Sequence, residues 1–216
     1  MIIAIDGPAG SGKGTLAKRL AGHFGLPHLD TGLLYRGVAL ALIDQGLSLT
    51  DASAAARVAA SLDIARLDDP RLKGREMGDA ASVVSAHQPV RDALLDLQRR
   101  FAAQPGGAVL DGRDIGTVIA PEADAKLYVT ASADERARRR HAELDRLGRP
   151  LPFEDVLADI RARDERDRNR AAAPLVVAAD AFVLDTTELG VEAAIEAAFE
   201  AVEASARRNR GKPDQD

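Results

Sequence analysis

The chain has no cysteine and no tryptophan, and its aromatic residues make up only 3% of 216 positions. Without cysteine, disulfides and thiolate metal sites are excluded, which fits a reducing compartment. With so few aromatics, the core is expected to consist mostly of Ala, Leu, Val and Ile. No stretch approaches the roughly 18 apolar residues that a membrane span needs. The N-terminus opens on a strand-like run with neither a charged leader nor a cleavable apolar segment, so a cytoplasmic protein with no membrane contact is expected. A basic excess is also lacking. The net charge of −5 argues against nucleic acid as the main partner, because such binding needs a dominant positive surface. The histidines His23, His28, His87 and His141 show no metal-ligand spacing.

What is present is a soluble composition, 46% hydrophobic and 29% charged, in a length suited to one core with small inserts. Short apolar runs at Ile2–Asp6, His28–Asp30, Ala108–Asp111, Lys126–Thr130 and Ala181–Asp185 alternate with helical patterns. That alternation predicts an α/β fold with a parallel sheet wrapped by helices. Helices are expected over Lys13–Phe24, Leu33–Gln45, Asp51–Leu62, much of Ala80–Ala102, Ala133–Leu147, Phe153–Arg168 and Val191–Arg207. Four of the five strands end at an acid, Asp6, Asp30, Asp111 or Asp185, and the carboxyl ends of parallel strands are where such folds bind ligands.

The first run leads into Gly7-Pro8-Ala9-Gly10-Ser11-Gly12-Lys13-Gly14-Thr15, a glycine turn between a strand and a helix. Glycines let several backbone N–H groups converge on a polyphosphate at a helix N-terminus, and Lys13 reaches the outer phosphates. A P-loop usually places a hydroxyl directly after the lysine as a Mg²⁺ ligand. Here Gly14 stands there and Thr15 follows, so Mg²⁺ is expected to be held mainly by water and phosphate oxygens, with Asp111 the candidate acid.

Three further clusters are cationic. Asp30-Thr31-Gly32-Leu33-Leu34-Tyr35-Arg36 joins a strand end to a helix start, with Thr31 a candidate cap and Arg36 a candidate phosphate fork. Asp111-Gly112-Arg113-Asp114 aims an arginine and an acid at the same crevice. In Arg163-Asp-Glu-Arg-Asp167-Arg-Asn-Arg170, helical spacing would put Arg163, Asp167 and Arg170 on one face. Phosphoryl transfer leaves the protein chiefly positioning and electrostatic work, so an arginine-rich segment that excludes water suits a kinase.

These blocks, together with Ala173-Pro-Leu175, strongly resemble the bacterial cytidylate kinase family over nearly the whole chain. The resemblance implies transfer of the γ-phosphoryl group of ATP to CMP or dCMP with Mg²⁺, on a P-loop kinase fold with a five-stranded parallel sheet. It implies a single domain over 1–206, with core 1–62, 92–131 and 171–206, a CMP-binding insert near 63–91 and an arginine-rich lid near 132–170; the segment 207–216, which has nothing apolar to bury, is expected to be a flexible tail. Carried over residue by residue, the CMP contacts are Thr31, Tyr35, Arg36, Ser82, Arg91, Arg113, Asp114, Arg163, Asp167 and Arg170, and Lys13, Arg113, Arg163 and Arg170 are catalytic. Cytosine's N4 amino group is a donor that Asp114 could accept, whereas uracil offers a carbonyl there. The chain departs from the family pattern at Leu33, where a small residue is usual, and in the short segment between Leu62 and Ala80. A monomer is expected. The alternatives are a P-loop kinase for another small acceptor and a nucleotide-binding switch; no guanine-reading Asn-Lys-x-Asp motif is present.

Overall fold

The computed structural model describes residues 1–63 and 67–210. The apolar runs form one sheet of β1 (Ile2–Asp6), β2 (His28–Asp30), β3 (Ala108–Gly112), β4 (Ala125–Thr130) and β5 (Phe182–Asp185), in the order β2-β3-β1-β4-β5. All neighbours are parallel, and the register sets Asp6 opposite Gly112 and Asp30 opposite Asp111. The acidic strand ends therefore meet along one edge, as the sequence pattern predicts.

α-Helices fill the connections apart from that between β3 and β4, which holds a short π turn: α1 (Lys13–Phe24) after β1; α2 (Thr31–Asp44), α3 (Ala52–Ala60), α4 (Arg75–Val84) and α5 (Gln88–Ala102) between β2 and β3; α6 (Ala133–Arg146) and α7 (Phe153–Asn169) between β4 and β5; and α8 (Val191–Arg210) last. The single helix expected over 80–102 is two. Pro89 has no N–H for a continuing ladder and its ring would clash with the carbonyl four residues back, so α4 stops and α5 starts with that proline in its first turn. The insert expected near 63–91 is helical, with a 3₁₀ turn at Pro70–Leu72 and no strand among the described residues; residues 64–66 lie outside them. The helix α8 runs on to Arg210, so the first four positions of the expected tail are helical, and 211–216 lie outside the described residues.

Packing is aliphatic, as the scarcity of aromatics requires. One apolar cluster joins Leu34, Val38 and Leu42 of α2 to Ala55, Val84 and Leu94 of α3, α4 and α5. Another seals Ile3, Ile5, Leu127 and Val129 of the sheet beneath Leu16 and Leu20 of α1 and Ile195 and Val202 of α8. The α6–α7 pair has a cluster of its own, formed by Ala137, Leu144, Val156, Leu157 and Ile160. Each fully buried Leu or Ile contributes about 1.5–3 kcal/mol before entropy is counted. Among the described residues no helix is long and apolar enough to cross a membrane.

Candidate active site

The glycine turn is shaped by steric necessity. A Cβ on Gly7 (φ 153°) would lie 2.0 Å from the Val129 carbonyl oxygen, and Gly10 and Gly12 adopt φ of 76° and 89°. Gly12 caps α1 without any side-chain bond, so the first N–H groups of that helix are left for an anion. Lys13 Nζ donates to the Pro8 carbonyl at 3.2 Å. Burial, with the nearby Arg113 charge, pushes its ammonium down to about 7. Just before the turn, the buried Asp6 carboxylate accepts from the Ile115 and Gly116 N–H groups, each at 2.8 Å. These bonds tie the donor loop to the π turn Ile115–Ile119 that follows Asp114. Burial carries the Asp6 carboxyl up to about 6 even though those two donors oppose it.

Facing the turn across a cavity of about 480 Å³ are Arg36, Arg91, Arg113, Asp114, Arg163, Asp167 and Arg170. Asp114 is ion-paired with Arg91 Nη2, and Arg170 Nη2 stands 3.6 Å from its other oxygen. Asp167 accepts from Arg113 Nε at 2.7 Å. Burial alone would raise the Asp167 carboxyl, but Arg113, Arg163 and Arg170 together hold it below the usual carboxylate range. Cations outnumber acids here, and Arg163 Nε and Arg170 Nη2 are buried with no hydrogen-bond partner. Burial and the neighbouring Arg113 push Arg163 down to about 10. Such a cluster is set up for an incoming anion: its excess positive charge is costly by itself and is offset by a phosphate.

Several predicted residues stand where expected but with different partners. Thr31 is not the cap of α2; Asp30 Oδ1 accepts from the Gly32 N–H at 2.9 Å, and the Thr31 hydroxyl donates to the Asp111 carbonyl at 2.9 Å. Gly112 makes room for that hydroxyl, since a Cβ there would lie 2.5 Å from Thr31 Oγ1. Tyr35 packs under the Arg91 guanidinium, 5.4 Å from ring centroid to Cζ. Arg36 Nη1 donates to the Leu72 and Gly74 carbonyls at 2.6 and 3.2 Å, which fixes it at the insert side of the cavity. Ser82 lines the cavity and accepts from Arg166 Nε at 3.2 Å. Arg170 is the C-cap of α7: its N–H donates to the Arg166 carbonyl at 3.0 Å and its φ of −62° is still helical, so it lines the cavity with Arg163 and Asp167, while a ψ of 138° turns the chain away after it.

Two contributors escape sequence reasoning. Arg136, buried at 4% exposure, donates to the Ala9 carbonyl of the glycine turn at 3.1 Å and forks onto Asp164 at 2.9 and 2.6 Å. His28 Nε2 lies 2.7 Å from Asp111 Oδ1. The Ser132 hydroxyl, which accepts from the Glu135 N–H, caps the first turn of α6 but gives no hint that Arg136 reaches the loop. The His28 contact joins two strands and has no local signature.

A strand, a glycine turn and a helix with its lysine, set opposite an arginine cluster at the same sheet edge, define a P-loop phosphotransferase with separate donor and acceptor halves. The family model described as cytidylate kinase matches residues 3–204. The cytidylate kinase of Xanthobacter autotrophicus is 63% identical over 94% of this chain and 98% of its own. That of Methylocella silvestris is 62% identical over 95% of each chain. The chain belongs to the cytidylate kinase family, ATP-dependent enzymes that phosphorylate CMP and dCMP. Solved structures share the fold: an uncharacterized protein from Eubacterium ventriosum (TM-score 0.58, 16% identity, covering 94% of this chain and 99% of that one) and a sugar kinase from Janibacter sp. (TM-score 0.51, 16% identity, covering 95% of each).

Proposed function

We propose that this protein transfers the γ-phosphoryl group of ATP to CMP or dCMP, giving ADP and CDP or dCDP, and acts as a monomer. The observation that supports this most directly is the single cavity in which the glycine turn and Lys13 face Arg36, Arg113, Arg163 and Arg170. Gly7–Thr15 cradle the ATP phosphates. Arg36 and Arg163 hold the acceptor phosphate. Arg113, oriented by Asp167, and Arg170, oriented beside Asp114, offset charge on the transferring group. Tyr35, Ser82, Arg91 and Asp114 form the wall that receives cytosine, with Thr31, at the start of α2, supporting it through its bond to the Asp111 carbonyl of β3. Asp167 also lies where a sugar hydroxyl can reach it.

The residues suit a metal held largely by its ligand. Among the described residues no group of three acids or histidines could hold a cation. One Asp111 oxygen is engaged by His28, and the other lies 3.9 Å from where a Cβ on Gly14 would be. A lone carboxylate oxygen fits Mg²⁺ that keeps water and phosphate oxygens as its main ligands. When bound, Mg²⁺ neutralises phosphate charge; Asp111 would orient its water, and Lys13 would position the phosphates. The segment 132–170 acts as the lid that excludes water from the γ-phosphate.

A panel of acceptor nucleotides with ATP in a coupled ADP-release assay tests the reading. CMP and dCMP are expected to be the best acceptors. Much faster turnover of AMP or of a non-nucleotide alcohol would overturn the assignment.

A further inference from the structure

After Asn169 the chain must leave α7 and turn back toward β5 while Arg170 stays in the cavity. The Arg170 side chain is 6% exposed, and its Nε donates to the Ala173 carbonyl at 2.7 Å. Nη2, on the same edge of the guanidinium, has no hydrogen-bond partner and lies 3.6 Å from Asp114 Oδ1. The bond from Nε to backbone thus fixes the plane of the group, while Nη2 beside it is left for the cavity that Arg170 lines.

The carbonyl that does this belongs to a strained residue. Ala173 has φ 45°, and it is the sole non-glycine with positive φ among the described residues. Left-handed backbone brings an alanine Cβ against its own peptide, and the following Pro174 favours extended backbone at this position. Neither preference is met. The turn is held from both sides instead: Ala172 and Leu175 are each 5% exposed, and the Leu175 N–H donates to the Asp167 carbonyl at 2.8 Å. An Ala173 relaxed to the extended region would turn its carbonyl away from Arg170 Nε. Strain retained at such a place points to a functional constraint.

We infer that Ala173 is a positioning residue, held in left-handed backbone so that its carbonyl fixes the Arg170 guanidinium for phosphoryl transfer. The inference rests on the role given to Arg170 above. The test is Ala173→Gly, made in the wild-type and Arg170→Ala backgrounds, with kcat, KM and Tm measured for each. Glycine accepts the left-handed turn without strain but also samples other conformations, so the fold persists while the carbonyl loosens. Expected are a Tm close to that of the wild type, a kcat lowered about tenfold with KM for ATP little changed, and no further loss when Arg170 is already alanine. A wild-type kcat for Ala173→Gly, alongside a depressed kcat for Arg170→Ala, overturns this inference and leaves the proposed function intact. Equal losses in both backgrounds overturn it as well, because Ala173 would not be acting through Arg170. A wild-type kcat for Arg170→Ala removes the role of Arg170 itself, and this inference with it.

Discussion

Asp114→Asn separates the two roles of the acid at the centre of the acceptor half. Asp114, Arg91 and Arg170 have side chains only 6–7% exposed, so the carboxylate compensates two guanidiniums that water cannot reach. Asparagine keeps the shape and removes the charge. Deleting one partner of a buried pair costs about 3–5 kcal/mol, because the remaining charge is left unmatched. At about 2–4 °C per kcal/mol for a chain of this size, the melting temperature should fall by about 6–20 °C. The ratio of kcat/KM for CMP over UMP should fall too, since an amide can donate to the uracil carbonyl that a carboxylate rejects. Differential scanning calorimetry and a two-substrate rate comparison read these effects. In an Arg91→Met background the same substitution should cost less, because one orphaned charge has gone. A melting temperature within about 2 °C of the wild type, or no coupling to Arg91, would refute the electrostatic account. Unchanged discrimination would remove Asp114 from base recognition.

Lys13, pushed by burial down to about 7, is charged below that pH and must regain a proton above it to meet ATP. Affinity for ATP should therefore weaken by about tenfold per pH unit above 7. Calorimetry should show proton uptake in that range that Lys13→Arg lacks; equal slopes would refute it. Gly7→Ala puts a methyl against the Val129 carbonyl and should abolish ATP binding in an equilibrium assay, whereas retained affinity would show that the turn can shift. Asp164→Asn should raise KM for ATP more than KM for CMP, because Arg136 then holds the Ala9 carbonyl less firmly. Steady-state kinetics check this, and equal changes in both would count against it.

The strand ends and the glycine turn are legible in the sequence because each signal is local: an apolar run stopped by an acid, or glycines at fixed offsets before a lysine. Arg36, Arg113, Arg163 and Asp167 are legible for the same reason, each lying beside such a boundary or at helical spacing. Their pairing is not. Arg91 meets Asp114 from 23 residues away and Arg113 meets Asp167 from 54, and periodicity along one helix carries no information about contacts across elements. Helical spacing places Arg170 beside Arg163 and Asp167, but nothing local shows that the chain turns away directly after it, at a left-handed Ala173 that no glycine marks. The buried Arg136 resembles its neighbours Arg138 and Arg140 in sequence, and only the fold distinguishes it.

The separate apolar cluster of α6 and α7 has a consequence for how this chain can diversify. Because Leu144, Val156, Leu157 and Ile160 pack within their own hairpin, changes among them need no compensation in the sheet, although Leu144, Val156 and Ile160 also line the cavity. The hairpin is joined to the rest through polar contacts that include Arg136 to Ala9, Arg139 to Thr186 and Asp167 to Arg113. Natural variation can therefore retune the hairpin as a cassette, exchanging interior residues within the limits set by the cavity wall of Leu144, Val156 and Ile160 while the few polar latches are kept.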